Sequence, residues 1–134
     1  MTEGINNSNN VEQMRVVDFG YNWNHKLNCR MFTTLRLKDR FVPGEIHEIR
    51  LKGKVKGNAV VVEVRPLMLH QINAFIAGID TGYNRNECHA ILKKMYKAKN
   101  LNWNTQIIQF VLFQYIDANG QGEPELDFSG NDSE

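Results

Sequence analysis

Thr33, Thr34 and Arg36 fall within the run Phe32-Thr33-Thr34-Leu35-Arg36, which brings two hydroxyls and a planar cation into a few β-forming residues. Each hydroxyl can donate and accept, and the guanidinium presents a fork that fits a phosphate or a base edge. On a strand, adjacent residues point to opposite faces, so Thr34 shares a face with Arg36 rather than with Thr33 and makes the better pair with it. Pro43-Gly44-Glu45 downstream reads as a turn opening the next strand. Polar groups at the mouth of a small sheet suit a binding site. The competing reading makes the two threonines ordinary strand formers and Arg36 a solvated surface charge.

Other groups add to this run. Lys26 and Arg30 precede it, and Asp80-Thr81-Gly82-Tyr83 leads into a helix that starts near Arg85. Tyr21, Trp23, Tyr83 and Trp103 lie in or beside loops, where a ring could stack on an unpaired base. Tyr83, between Asp80 and Arg85, is the preferred stacking residue, whereas Trp23 is expected to be buried as a core anchor. His25, Cys29, Cys88 and His89 carry metal-ligating atoms. Cys88 and His89 are adjacent, however, and diverge by about 100° on a helix, so no zinc site is expected, nor any other metal or cofactor. His47 and His70 show no partner pattern.

The elements that would position these groups alternate between strand and helix. Val16 to Phe19 reads as a short strand, Asn22 to Arg30 as a short helix, and Thr33 to Leu37 and Glu45 to Leu51 as strands. Lys52 to Asn58 reads as a basic, glycine-bearing hairpin connection to a strand at Ala59 to Arg65. Leu69, Ile72 and Ile76 predict a helix over Pro66 to Ala77 that ends at Gly78. The clearest helix starts after Asn84, with Glu87 placed for a capping box. Its apolar stripe is Cys88, Ile91, Leu92 and Met95, with Lys93, Lys94 and Lys97 facing away. Gln106 to Ile116 is apolar at both parities, as in a strand covered on both faces.

The chain has 134 residues, enough for a single core, and its 42% hydrophobic and 23% charged content is that of a soluble globule. No apolar run approaches a membrane span, the first residues lack the parts of a signal peptide, and a cytoplasmic location with reduced Cys29 and Cys88 is expected. All 16 Lys and Arg lie between Arg15 and Lys99, whereas only 8 of the 15 acids lie in residues 15–117, leaving that span at a formal +8. Residues 1–14 and the acidic stretch 118–134 have the composition of disordered segments, which makes 15–117 the expected domain. A basic domain beside an acidic tail suits a polyanionic partner.

Taken in order, these segments resemble the ASCH family, small domains related to the PUA fold of RNA-modifying enzymes. The family pattern Gly-x-Lys-x-x-Thr-x-Arg aligns with Cys29-Arg30-Met31-Phe32-Thr33-Thr34-Leu35-Arg36, which keeps Thr34 and Arg36. Gly44-Glu45 stands at the family's Gly-Asp turn and Asp80 in its acidic loop. The resemblance implies an α+β fold, a small PUA-like mixed β-barrel of five to six strands flanked by two or three helices. It also implies a cleft that binds RNA or a nucleotide through Lys26, Arg30, Thr33, Thr34, Arg36, Asp80, Tyr83 and Arg85. One branch of the family is similar to an amidohydrolase that deacetylates modified cytidine with a lysine, a threonine and a glutamate. Thr34 and Asp80 would fill two of those catalytic roles. The lysine position is Met31, whose thioether cannot act as a base, and Lys26 is the first candidate to replace it. A binding module, a hydrolase of a modified nucleoside or of RNA, and a protein-interaction module all remain open at this point, and the Met31 departure puts binding first.

Overall fold

The computed structural model describes residues 14–37 and 40–117. The expectations of disorder therefore lie outside the described residues, apart from Met14. Five strands form one sheet: β1 (Val16–Phe19), β2 (Met31–Arg36), β3 (Ile46–Leu51), β4 (Lys54–Leu67) and β5 (Ile108–Asp117). Their order is β1-β3-β4-β5-β2. β1 runs parallel to β3, and every other pairing is antiparallel.

The sheet curls but does not close. Register shifts between Ile49 and Arg50, between Asn58 and Ala59, and between Val61 and Glu63 insert extra residues that bend the ladders. The long β4 thereby wraps from a pairing with β3 to one with β5. β1 and β2 are left as the two edges of a half-barrel, where a closed barrel was expected. Side chains bridge the seam: Arg36 Nη2 donates to the Asp18 carbonyl at 3.2 Å, and the rings of Phe19 and Phe32 meet edge-on at 6.0 Å.

Both faces of β5 are covered, as its double-parity pattern predicts. Val111, Phe113 and Tyr115 point into the hollow of the sheet with Phe19, Phe32, Ile49 and Val61. Ile108 packs on the outer face with Leu35, Ile72, Ala77, Cys88 and Leu92, beneath the helices. Full burial of a side chain such as Phe113 stabilises the fold by about 1.5–3 kcal/mol.

Two α-helices occur among the described residues, α1 (Ala74–Thr81) and α2 (Arg85–Met95). The α2 N-terminus is the expected capping box: Glu87 N–H donates to Asn84 Oδ1 at 2.8 Å and Asn84 N–H to Glu87 Oε1 at 3.0 Å. The helix expected over Pro66 to Ala77 is not formed. β4 continues to Leu67, because the ladder with β5 extends to Leu67–Ile108, and a 3-10 turn at Leu69–Gln71 follows. Asn73 then caps α1 through its side chain, which accepts from Ile76 N–H, and the helix runs through Gly78 to stop at Gly82. The expected helix over Asn22 to Arg30 is a 3-10 segment, Trp23–Asn28, kinked by left-handed Asn24 and His25. β4 also starts earlier than its apolar run suggests, which shortens the β3–β4 turn to Lys52 and Gly53.

Candidate functional site

The site grows from β2. Thr33 and Thr34 are both buried, yet the pleat sends them to different partners. Thr33 Oγ1 donates to Asp80 Oδ1 at 2.8 Å, and Lys26 Nζ donates to the same oxygen at 2.9 Å. Thr34 Oγ1 accepts from Arg36 Nε at 3.0 Å, so the expected Thr34–Arg36 pair is realised. The threonine that meets Asp80 is Thr33, which the alignment does not single out.

Asp80 reaches this position because α1 extends one turn beyond the expected stop. It lies in the last turn of a helix rather than in a loop, and only 4% of it is exposed. Lys26 comes from the kinked 3-10 segment, whose Asn22 side chain accepts from Leu27 N–H at 2.9 Å and holds the turn closed. Burial lowers the Lys26 pKa below its ordinary value, and the Asp80 carboxylate opposes the shift without cancelling it. Cys88, beneath the pair, is pushed up to about 11, mainly by burial and next by the Asp80 charge.

These groups face a cleft in the seam between the two edge strands. It holds about 530 Å³ of empty space, its open mouth included. Lys26, Thr34, Arg36 and Asp80 supply the polar wall, Phe19, Tyr21 and Trp23 the aromatic wall, and Ile91 and Met95 of α2 close the far side. Arg36 is fixed at three points: by Thr34, by the Asp18 carbonyl, and over the Phe19 ring with its guanidinium carbon 4.6 Å from the centroid. A fixed guanidinium beside aromatic rings suits a planar ligand with acceptor edges or an attached phosphate. A second pocket, on the other side of β2, is lined by Thr33, Glu63, Arg65, Ile79, Phe110 and Leu112; its surface is mostly apolar, and its two charged groups pair with each other, Arg65 Nε donating to Glu63 Oε2 at 2.6 Å.

The remaining predicted site residues stand apart from the cleft lining. Tyr83 meets Trp23 edge-on at 5.9 Å and so braces the aromatic wall from behind, itself 44% exposed. Arg85 is exposed at the start of α2. Arg30 precedes β2, and its carbonyl accepts from Tyr115 N–H at 2.9 Å. Met31, at the family's lysine position, is 43% exposed on the edge strand and does not line the cleft. Trp23 is half-buried, as a wall of the cleft rather than the core anchor expected. Phe19, Ile91 and Met95 went unread as cleft residues because their apolar spacing marks an inward face without saying what that face meets. Among the described residues no cluster of His, Cys, Asp and Glu could hold a metal, and no helix is long and apolar enough to cross a membrane.

No protein-family model matches the chain, and no curated protein does. Among solved structures, protein EF3133 from Enterococcus faecalis V583, of the family DUF984, is similar, with a TM-score of 0.62 over 84% of this chain and 86% of that one at 11% identity. The likeness is one of fold. It shows this chain to share that protein's small α+β fold, here a five-stranded half-barrel sheet with helices on its outer face.

Proposed function

We propose that the chain binds RNA or a nucleotide, with a base held in the cleft against the aromatic wall and Arg36 meeting its acceptor edge. The observation that carries this reading is the threefold anchoring of Arg36 by Thr34, the Asp18 carbonyl and Phe19. A guanidinium fixed in advance loses little freedom when it meets an acceptor edge or phosphate, so binding there is favoured over a swinging surface arginine. Thr34, which lines the same wall, is the second contact in this reading. The test is titration with the four nucleoside 5′-monophosphates and a short RNA, followed by chemical shifts. Shifts confined to residues lining the cleft, and an Arg36→Ala variant at least about tenfold weaker, are expected. Absence of cleft shifts with every ligand sinks the reading.

One observation favours a second reading, hydrolysis of an acetylated nucleoside. The lysine missing at Met31 has a counterpart in Lys26, which lines the cleft with Thr34 and is paired with Asp80. Burial leaves its amine more readily neutral than that of a free lysine, a condition for base catalysis. In this reading Thr34 is the nucleophile, Lys26 accepts its proton, and Asp80 orients the amine. Turnover of acetylated cytidine that disappears in both Lys26→Met and Thr34→Val, each shown by its denaturant melt to be folded under the assay conditions, supports it. Turnover by neither the native chain nor any variant leaves binding alone.

A further inference from the structure

We infer that the ligand of the cleft is one residue of a single-stranded polynucleotide, with the neighbouring phosphates lying on Lys52 and Lys54 at one lip and on Lys94 at the other. This rests on the reading of the cleft as a nucleobase site. A base inserted from a strand carries backbone phosphates on both sides, whereas a free nucleotide carries them on one. Cations at both lips therefore distinguish the two ligands.

The first lip is the β3–β4 turn. Lys52 N–H donates to the Phe19 carbonyl at 2.8 Å and Gly53 N–H to Asp18 Oδ1 at 3.1 Å, and both acceptors belong to residues lining the cleft. The turn is thus pinned to the cleft edge, with Lys52 and Lys54 exposed on it. Lys52 has a φ of +52° and Gly53 one of +82°, the geometry of a two-residue hairpin that favours Asn-Gly. A lysine in the left-handed region costs about 1 kcal/mol, and its exposed side chain has no packing to set against that cost. Its use here fits a requirement for charge at that point.

The second lip is α2. Ile91 and Met95 line the cleft, and Lys94 follows Ile91 by three residues and adjoins Met95, so it sits on the rim of the same helix face. Lys94 is exposed. Arg65, exposed on β4 beside the pocket on the other side of β2, lies away from both lips and serves as an internal control.

The test is fluorescence anisotropy of labelled single-stranded RNA and DNA of about ten nucleotides, near the site size of small single-strand binders. Titrations are run between about 50 and 200 mM salt, alongside the nucleoside 5′-monophosphates. The oligomer is expected to bind at least about tenfold tighter than any monophosphate. The triple variant Lys52→Gln/Lys54→Gln/Lys94→Gln should weaken oligomer binding about tenfold or more and flatten the logarithmic salt slope by about 2, while weakening monophosphate binding less, because a single phosphate reaches only one lip. Lys52→Gln and Lys94→Gln alone should each flatten it by about 0.7, and Arg65→Gln should not. Tight binding of RNA only or of DNA only supports the inference and identifies the strand. Equal affinity for oligomer and monophosphate, or an effect of Arg65→Gln as large as that of Lys94→Gln, overturns it and leaves the nucleobase site intact. If monophosphate and oligomer both fail to bind, the nucleobase site falls and the polynucleotide inference with it.

Discussion

Lys26 and Asp80 are 54 residues apart in the chain and 2.9 Å apart in the fold, with the side chain of each only 6% exposed. The pair joins the 3-10 segment to the end of α1 and forms the back of the cleft. Thr33 shares the same carboxylate oxygen. Asp80 thus holds the 3-10 segment and β2 together from one atom. Such a pair gains little over a well-packed apolar replacement, but losing one partner strands a buried charge. Lys26→Met or Asp80→Leu alone is expected to destabilise the domain by about 3–5 kcal/mol. The double variant should lose clearly less than the sum, since neither charge is left alone. Denaturant melts of the four proteins measure this, and strict additivity would falsify coupling between the two.

Cys88 gives the stability a defined alkaline limit. Its thiol pKa is raised from 9.0 to about 11, so between these values the folded chain keeps a proton that the unfolded chain has lost. Stability from this group is complete below pH 9 and disappears as pH rises towards 11. The decline should total about 2–3 kcal/mol and should flatten in Cys88→Ala. Tyr115, whose pKa is also raised by burial, adds to the decline in the same direction. Thiol labelling provides an independent check: exposed Cys29 should react at once, and buried Cys88 only on unfolding.

Gly82 ends α1 in the left-handed region, at a φ of +80°, and a Cβ there would stand 3.0 Å from Asn24 Cγ. Gly82→Ala adds backbone strain and pushes on the 3-10 segment that carries Lys26. A loss of about 1–2 kcal/mol is expected, a fall of roughly 4–15 °C in Tm for a domain of this size. Gly53→Ala, at a φ of +82° with nothing near its Cβ, should show the strain alone and therefore lose less. Equal losses would mean that the Asn24 contact is relieved without cost.

Met31→Lys tests the alignment against the fold. Met31 lies exposed at the start of an edge strand, outside the cleft lining, so a lysine there reaches solvent before it reaches the site. The substitution is expected to leave ligand affinity, thermal stability and any acetylcytidine turnover unchanged. A gain of turnover in Met31→Lys would return the catalytic role to the motif position and remove it from Lys26.

Much of this protein was fixed locally. Pleat alternation alone paired Thr34 with Arg36, the Asn84–Glu87 spacing alone started α2, and apolar residues at both parities alone placed β5 between two layers, because each depends on neighbours a few residues away. The helix expected at Pro66 failed for the opposite reason. Its apolar spacing fits either state, and the continuing ladder with β5, formed by residues some forty positions distant, settled it as strand. Gly78 likewise carried no stop signal once Asn73 set the start of α1 and the helix could run on to Gly82. The half-barrel's open seam depends on bulges in β4 that no spacing rule announces. Only that seam brings Phe19, Arg36 and α2 to one cleft, and only the extra turn of α1 sets Asp80 against Lys26 and Thr33. The residue types for the site were legible in the chain. Their partners were decided by long-range packing, in which burial makes each charge seek whatever counter-charge the fold delivers.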